Sequence, residues 1–529
     1  MSTPNNHTTR ASSFWRFCIS RPQLPDWLLI VLCTIAGCMF MLWFFPYPST
    51  TSDSGGYLYA AIHDQFIAYR PFGYSFFLQL CHLLSHSIFS VIVGNAILYA
   101  LSAGLLLMAV KKYFPPQQAW TFRLLEALIV LSPNAIAMLD TVLSDTLFCS
   151  MVFVMTAMAL VMIHEGSWTA LAVYVLAFFA ALHTRYSAMF FPLAFLPVLL
   201  MSGKKWLRIG AGVLTLAAFA IFYVQISSNM EQILGRRQFS TGFDGWQIAN
   251  NAMHVLPHID RGPDAPMPED EEIATIHRYC CDPVYIRTIE KDLGDGWSVN
   301  ARFLWEDSYP LKNVLKIYMI KYDLPRQETW VRLGSDQFGR YGKWLIRQYP
   351  LEFLRYYLLP NIINAFLPNP ASSEVIGRHF DPVHAPKEFE QYYGSLPVLK
   401  TRQGFNKYLL PLLPWIELLT WLALIAAATV LLGGRMLKGM TREARLSLLL
   451  LFLFGFIYYG TTVFASPIAI RYWMPMHAVK LIFIWIVLSG FVSSGKMRIF
   501  VGYEENSTCV RRSRVYREPR HRRACPGRL

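Results

Sequence analysis

Residues 27–46 read WLLIVLCTIAGCMFMLWFFP, an uninterrupted apolar run without a charged side chain. A helix needs about 20 such residues to cross the hydrocarbon core of a bilayer, so this stretch predicts a membrane-spanning helix. The run is too long for the apolar part of a signal peptide, and no small-residue cleavage motif follows it. We therefore expect it to remain in the chain as the first span.

The composition of the whole chain agrees with a protein built mainly of such spans. Of its 529 residues, 54% are hydrophobic and only 16% are charged, whereas a soluble domain carries roughly 25% charged residues. This balance excludes an ordinary soluble enzyme, a disordered chain and a fibrous one. The formal charge of +14 fits cationic residues that flank spans on the cytoplasmic side, so nucleic acid is not expected as a partner.

Apolar stretches of spanning length recur along the chain and predict an all-α polytopic membrane protein with about ten transmembrane helices. The ten stretches are 27–46, 88–110, 120–138, 146–163, 169–183, 187–202, 207–226, 409–433, 446–465 and 473–493. Lys and Arg accumulate in all but one of the loops on one side, for example at Lys111, Lys204 and Arg442. Such loops stay in the cytoplasm. Both termini are therefore expected in the cytoplasm, and the first loop (47–87) on the outer face.

The spans divide the chain into four regions. The regions are an N-terminal transmembrane module (1–226), a mixed extracytoplasmic segment between the seventh and eighth spans (227–408), a C-terminal transmembrane module (409–500) and a basic cytoplasmic tail (501–529). Residues 350–369 are apolar but contain Pro360, and a crossing there would move the basic loop 435–445 to the outer side. We interpret that stretch as a pair of interfacial helices.

The first outer loop places one acid close to the membrane. Asp53 follows the first span by a few residues, Gly55 and Gly56 favour a tight turn, and Tyr57 would then begin a short interfacial helix. An acid held at the interface can act as a general base toward a hydroxyl group. The alternative is structural, since Asp53 or Ser54 would also serve as a helix cap. From the loop alone, the cap is the commoner interpretation.

A second acid and three arginines are expected at the same outer face. Asp145 begins the fourth span, where a carboxylate favours the positive end of the helix dipole. Arg185 lies in the turn between the fifth and sixth spans, Arg471 begins the last span, and Arg70 belongs to the first loop. Each arginine alone is an ordinary interfacial anchor. Together they have the geometry to bind a phosphate group.

The order of these motifs resembles that of the GT-C class of integral-membrane glycosyltransferases, and within it the protein O-mannosyltransferases and lipid A aminoarabinose transferases. The resemblance covers most of the chain as topology and rests on four short motifs. These are Asp53 followed by Tyr57, Arg70-Pro71-Phe72-Gly73-Tyr74, Leu143-Ser144-Asp145-Thr146-Leu147-Phe148, and Arg471-Tyr472 with Pro475. Many members of the class carry two consecutive acids in the first loop. Here Ser54 follows the first acid, which leaves Asp53 alone as the base.

The resemblance implies an enzyme of the inner (cytoplasmic) membrane with its active site on the outer face. The enzyme would transfer a sugar from a polyprenyl-phosphate donor to a hydroxyl group of a glycan, lipid or protein acceptor, with inversion at the anomeric carbon. Asp53 would act as the base, and Asp145 would orient the acceptor or a neighbouring arginine. The substrate-binding residues would be Tyr57, Arg70, Arg185, Arg471 and Tyr472. No residue is assigned to a metal and no cofactor is required, although a divalent cation is left open.

Two other functions remain open from the sequence. A transporter or flippase of a lipid-linked or anionic solute would use similar interfacial charges, but it should also carry ionisable residues at mid-membrane. The predicted spans contain few, with Glu126 as the main candidate. An O-antigen polymerase or ligase would share a lipid-linked substrate and a large outer loop, but it would lack the Asp53 loop pattern. The sequence leaves the sugar and the acceptor undefined.

Overall fold

The computed structural model describes residues 13–490, apart from 68–69, 203, 236, 240–242, 295–297, 326–327, 330–331, 368–386, 395–409 and 434–435. Within these ranges the chain folds into helices and contains no β-strand. The prediction of an all-α polytopic membrane protein is confirmed at this level. The basic tail 501–529 lies outside the described residues.

The N-terminal part forms a helical bundle around one central helix. In chain order its helices are α1 (Phe14–Cys18), α2 (Leu24–Phe44), α3 (Ser52–His63), α4 (Gly73–Leu84), α5 (Ser90–Tyr113), α6 (Ala119–Val130), α7 (Pro133–Leu139), α8 (Asp145–Glu165), α9 (Trp168–Thr184), α10 (Phe191–Met201) and α11 (Lys205–Leu234). Helix α8 is apolar and buried along almost its whole length between α5 and α9. A helix buried on all sides forms the core of its bundle.

The rest of the chain consists of segment 227–408 and a final group of apolar helices. In the segment the helices are α12 (Phe243–Ala252), α13 (Glu271–Cys280), α14 (Pro283–Leu293), α15 (Pro310–Tyr322), α16 (Gly339–Gln348), α17 (Pro350–Phe353), α18 (Leu359–Phe366) and α19 (Lys387–Tyr393). After it come α20 (Leu413–Gly433), α21 (Met436–Gly439), α22 (Arg442–Ala465) and α23 (Ile470–Gly490).

Seven of the described helices are long and apolar enough to cross a membrane. They are α2 with the turn that precedes it, α5, α8, α11, α20, α22 and α23. Helices α6 and α7 form a further candidate, bent by 49°, because Pro133 cannot continue the hydrogen-bond ladder of α6. The apolar helices α9 and α10 are shorter. In its described part, each of the ten stretches predicted as spans overlaps one of these elements, whereas residues 409 and 491–493 lie outside the described residues.

Contacts between helix ends define two ends of the bundle, which we name after the first and last residues of α8. At the Asp145 end, the Ser49 amide donates to the Asp140 carbonyl (2.8 Å) and the Val142 amide to the Ser49 carbonyl (2.9 Å). At the Glu165 end, the Glu165 carboxylate accepts from the Phe14 amide (3.1 Å). A helix of this length separates the two ends by about 30 Å.

Segment 227–408 is helical in its described part, so the expectation of a mixed segment was wrong there. Helices α13 and α14 begin with side-chain caps, in which Asp270 accepts from the amides of Glu272 and Ile273, and Asp282 accepts from the amide of Val284. Such caps satisfy backbone donors that a helix start leaves without partners. The apolar residues of both helices recur at helical spacing and are buried in one core, which favours helices over strands.

Glycines let two elements of this segment approach closely. A Cβ atom on Gly245 of α12 would lie 1.6 Å from the carbonyl oxygen of Gly334, in a π-helical turn that precedes α16. The backbones themselves are therefore in contact. Since neither backbone can rotate away as a side chain would, α12 and this turn have to separate if a side chain is added.

Gly245→Ala is therefore expected to lower the stability of the chain by at least the ~1–3 kcal/mol typical of overpacking. The measurement is the thermal unfolding midpoint of the purified full chain in detergent, followed by tryptophan fluorescence. Gly460→Ala in α22 is the matched control, because among the described residues no atom outside its own stretch of helix lies within 4 Å of the added Cβ. Equal midpoints for the two variants would contradict the close packing.

Residues 350–366 form one helical run, so the predicted pair of helices was wrong in that detail. Helix α17 continues through a π-helical turn, Leu354–Leu358, into α18. Pro360 is the second residue after that turn, where wider hydrogen bonding accommodates its missing N–H. The run is not among the helices long and apolar enough to span, and its interfacial position remains a prediction.

The first loop, 47–87, folds into α3 and α4. Helix α3 begins at Ser52 and not at Tyr57, because Thr51 and Ser54 form a reciprocal cap: Thr51 Oγ1 accepts from the Asp53 amide (3.2 Å) and Ser54 Oγ from the Thr51 amide (2.9 Å). Gly55 lies inside the helix, so the predicted glycine turn was wrong. Helix α4 begins at Gly73, directly after Pro71 and Phe72.

Candidate functional site

The capping of α3 by Thr51 leaves the Asp53 carboxylate available for other contacts. Since Thr51 is the N-cap residue of α3, Asp53 lies in the first helical turn and its carboxylate does not cap the helix. Ser54 also donates to the Val142 carbonyl (2.8 Å), which ties this turn to the loop before α8. Asp53 is thereby held at the Asp145 end of the bundle.

Both carboxylate oxygens of Asp53 are bound by arginine. Arg70 Nη2 lies 2.5 Å from Oδ1 and Arg471 Nη2 lies 3.2 Å from Oδ2. Burial by itself would raise the pKa of the Asp53 carboxyl, but the charges of Arg70 and Arg471 and their hydrogen bonds outweigh it and hold that pKa well below its ordinary range. In this state Asp53 is a stable carboxylate with a low affinity for a proton.

Asp145 and Arg185 form a second pair beside the first. Arg185 Nη1 lies 2.6 Å from Asp145 Oδ1, and only 3% of the Asp145 side-chain surface is exposed. The other oxygen, Oδ2, is buried and has no hydrogen-bond partner among the described residues. A buried carboxylate oxygen without a donor carries a desolvation cost that a ligand hydroxyl group would relieve.

Tyr472 joins the two pairs. Its ring lies under the guanidinium groups of Arg185 (5.1 Å) and Arg471 (5.4 Å), within the range of cation–π attraction. Its carbonyl accepts from the Tyr458 hydroxyl (2.9 Å), which fixes the turn at the start of α23. One aromatic ring therefore contacts two arginines that pair with different carboxylates.

Tyr57 supports the cluster from α3. Its hydroxyl lies 2.9 Å from Ser144 Oγ, its ring packs edge-on against Tyr74 at 4.9 Å, and Arg70 lies over the ring at 4.7 Å. Because Tyr57 is buried, its contact with Arg70 positions that arginine toward Asp53. All the sequence-predicted site residues thus lie in one cluster: Asp53, Tyr57, Arg70, Asp145, Arg185, Arg471 and Tyr472.

Helix α4 approaches this cluster through a glycine. A Cβ atom on Gly73 would lie 2.5 Å from the His183 carbonyl oxygen, two residues before Arg185. The close contact holds the first loop against the end of α9. Helix α19 of segment 227–408 packs on the same loop, where its Phe389 is buried with Tyr57 and Tyr74. The long segment therefore contacts the first loop directly.

A buried amide fixes the loop that carries Arg471. Asn361 Nδ2 donates to the carbonyls of Val463 (2.7 Å) and Ser466 (2.8 Å), and its Oδ1 accepts from the Ile468 amide (2.8 Å). Asn251 donates to the neighbouring Phe464 carbonyl (3.1 Å). Segment 227–408 therefore supplies the partners for the backbone between α22 and α23, and Asn361 is a positioning residue for Arg471.

Asn361→Ala is expected to destabilise this loop by about 1–3 kcal/mol for each buried group left without a partner. The measurement is amide hydrogen exchange of a peptide covering residues 463–471, which should accelerate. Asn313→Ala removes an amide that donates to Asp307 and Tyr285 and should leave exchange at 463–471 unchanged. Unchanged exchange in both variants would show that Asn361 does not hold the loop.

The sequence interpretation missed Asn361 and one charged cluster inside the apolar helices. Glu417 of α20 lies 3.1 Å from His477 Nδ1 and forms an ion pair with Lys480, both on α23. All three side chains are buried. Charged residues within apolar spans were the available signal for the cluster, but only the structure pairs them. No sequence pattern marked Asn361, whose backbone partners are more than 100 positions away.

The described residues contain no group of three or more His, Cys, Asp or Glu side chains placed to hold a metal ion. Both acids of the cluster are paired with arginine. No protein-family model, no curated protein and no solved structure matches this chain.

Proposed function

We propose that the chain is a membrane glycosyltransferase that transfers a sugar from a polyprenyl-phosphate carrier to a hydroxyl group of a glycan, lipid or protein, with inversion at the anomeric carbon. The observation that carries the proposal is the pairing of Asp53 with Arg70 and Arg471 beside the pair of Asp145 with Arg185. The reaction has to deprotonate a hydroxyl group and stabilise a departing phosphate. A carboxylate beside a surplus of guanidinium charge supplies both needs.

The residues take distinct roles in this proposal. Asp53 accepts the proton of the acceptor hydroxyl group as that oxygen attacks the anomeric carbon. Arg70 and Arg471, with Arg185, bind the phosphate, whose negative charge grows as its bond to the sugar breaks, so their attraction is greatest in the transition state. The oxygen of Asp145 that lacks a partner accepts a hydrogen bond from a substrate hydroxyl group.

Ten membrane crossings are part of the proposal, and contacts between helix ends support them. Ser49 follows α2 and pairs with Thr141, which precedes α8, so the end of α2 and the start of α8 share one face. Helix α5 is long and apolar enough to cross, and if it crosses, the bent pair α6–α7 has to cross back for α8 to begin at that face. Arg185 at the end of α9 contacts the start of α8, which supports a return crossing by α9.

The same reasoning extends to the later helices and to the choice of face. Arg442 at the start of α22 donates to the Met201 carbonyl at the end of α10 (2.7 Å). Ser447 in the same part of α22 lies 3.1 Å from His164, next to Glu165, so both helix ends lie at the Glu165 end. Lys112 lies there too, 2.5 Å from Glu165. Since Lys and Arg accumulate at this end, we assign it to the cytoplasm and the Asp145 end to the outer face of the cytoplasmic membrane.

The proposal is tested by sugar transfer in membranes. Membranes that contain the chain, and matched membranes without it, are offered a labelled panel of polyprenyl-phosphate sugars. Loss of one donor and labelling of a hydroxyl acceptor only where the chain is present are the expected results. Failure to consume any donor in membranes that do contain the acceptors would contradict the proposal.

A transporter or flippase of a lipid-linked or anionic solute is the second candidate, and one observation favours it. Glu417, His477 and Lys480 are ionisable, buried and located within apolar helices, and such residues often mark solute or proton pathways. Movement of a labelled lipid-linked sugar across vesicles containing the chain, without loss of the sugar–phosphate bond, would support this candidate over the glycosyltransferase.

A further inference from the structure

The carboxylate that the proposed reaction needs as its base is engaged by two cations. Arg70 and Arg471 each donate to one oxygen of Asp53, and Arg70 Nη1 also lies 3.4 Å from the Asp53 carbonyl. Only 26% of the Asp53 side-chain surface is exposed, against 15% for Arg70 and 11% for Arg471. A hydroxyl group therefore cannot donate to Asp53 along the directions that the guanidinium groups occupy.

The cluster also has a positive charge in excess. Its five charged side chains are two carboxylates and three guanidinium groups, Asp53 with Arg70 and Arg471 and Asp145 with Arg185. In addition, Arg471 Nε is buried and has no hydrogen-bond partner among the described residues. Guanidinium groups bind phosphate oxygens through the same paired N–H donors that bind carboxylate oxygens. A phosphate in this cluster thus competes with Asp53 for Arg70 and Arg471.

We propose that Arg70 and Arg471 mask Asp53 when no donor is bound. The phosphate of the donor then binds these two arginines in place of Asp53 and thereby releases Asp53 to act as the base. This inference rests on the proposed function. Donor binding comes first in this scheme, because the acceptor hydroxyl group has no proton acceptor until the arginines have moved to the phosphate.

The step balances in atoms and charge. The acceptor oxygen forms a bond to the anomeric carbon, and its proton passes to the released Asp53 carboxylate. The bond between the anomeric carbon and the phosphate oxygen breaks, and its electron pair leaves with the polyprenyl phosphate. Arg70 and Arg471 neutralise that added charge. When the lipid phosphate departs, the arginines return to Asp53, which releases its proton to water.

The masking of Asp53 predicts a change in phosphate affinity opposite in sign to the change expected if Asp53 only orients the arginines. If Asp53 competes with the phosphate, removal of its charge frees both arginines and strengthens phosphate binding. If Asp53 instead only orients the arginines for the phosphate, removal of its charge weakens binding. The sign of the change in affinity therefore separates the two arrangements, and it requires no sugar transfer.

The experiment measures binding of a long-chain polyprenyl monophosphate without sugar to the purified full chain in lipid nanodiscs. Asp53→Asn is expected to bind this probe at least about tenfold more tightly than the natural chain, the scale of one charge-assisted hydrogen bond. The control is Asp64→Asn, which removes one negative charge at the end of the same helix. Asp64 lies in the left-handed backbone region, which Asn tolerates, and its affinity should stay within about twofold.

Further ligands show which part of the lipid phosphate is recognised, and further measurements exclude misfolding of the variants. The polyprenol without phosphate should bind equally to all variants, and inorganic phosphate should show the same sign of change as the lipid phosphate if the headgroup alone is recognised. Asp53→Ser serves as a second variant, since it also removes the charge. Each variant has to match the natural chain in thermal unfolding midpoint and in elution volume.

Weaker or unchanged binding by both Asp53 variants would overturn the mask, and so would a lack of phosphate-dependent binding in every chain. These outcomes differ from a failure of the proposed function. If the natural chain transfers sugar but Asp53→Asn weakens binding of the lipid phosphate, the proposed function stands and the masking of Asp53 is wrong. If Asp53→Asn strengthens that binding but the natural chain transfers no sugar, the competition for the arginines stands and the proposed function is wrong.

Discussion

Asp53→Asn is expected to slow sugar transfer by about 10²–10⁴-fold, the usual contribution of a positioned general base. Asparagine has nearly the same shape as aspartate, and its single side-chain oxygen can accept from only one of the two arginines that bind Asp53. It cannot take the proton of the acceptor. The measurement is the rate of donor loss at saturating donor in membranes containing equal amounts of each variant.

The matched control for this loss is Asp64→Asn, which changes one acid of the same helix to the same amide. Asp64 accepts from Gln79 (3.3 Å) at the exposed end of α3, and none of its contacts involves the arginine cluster. Its rate should stay within about twofold of the natural chain, as for most surface substitutions. A rate for Asp53→Asn equal to that of Asp64→Asn would show that Asp53 has a structural role only.

Glu417→Gln is expected to destabilise the chain by about 3–5 kcal/mol, the range for breaking a buried ion pair from one side. The substitution leaves Lys480 charged or forces it to lose its proton within an apolar part of the bundle, and it also weakens the contact with His477. Lys480 is almost completely buried, with 2% of its side-chain surface exposed, and its ammonium lies over the Trp421 ring at 4.6 Å.

Two further variants make the test of Glu417 specific. The double variant Glu417→Gln with Lys480→Met removes both charges and should recover most of the lost stability. Glu231→Gln breaks an exposed pair with Arg237 and should cost at most about 1 kcal/mol. Stability is followed as the unfolding midpoint in a denaturant titration in detergent. A double variant as unstable as the single one would contradict a charge-based explanation.

The membrane helices were predictable because the bilayer imposes a simple rule. A span has to be apolar and long enough to satisfy its own backbone, and both conditions are visible in a run such as residues 27–46. The bend between α6 and α7 was also visible in the sequence as Pro133, although we predicted residues 120–138 as a single span without a bend. By contrast, the helical character of the described part of segment 227–408 depends on the burial of apolar helix faces against each other, which composition alone does not reveal.

The sequence predicted which residues form the candidate cluster but did not predict which of them contact each other. Common sidedness and the order of the motifs brought Asp53, Asp145 and the three arginines to one face. The start of α3 was wrong in the sequence interpretation, because the reciprocal cap of Thr51 and Ser54 outweighs the flexibility of Gly55. Asn361 was not identified at all, since its amide acts through backbone groups far away in the chain.

By itself the sequence determined that the chain enters the membrane as helices and which charged residues stand at their ends, since hydropathy and charge act locally along the chain. Only the tertiary structure decided which arginine binds which acid: Arg70 and Arg471 hold Asp53, whereas Arg185 holds Asp145. The physical reason is that an ion pair depends on distance and burial, not on position in the sequence. Asp53 and Arg471 are separated by 418 positions, and only the tertiary fold brings the start of α3 next to the start of α23.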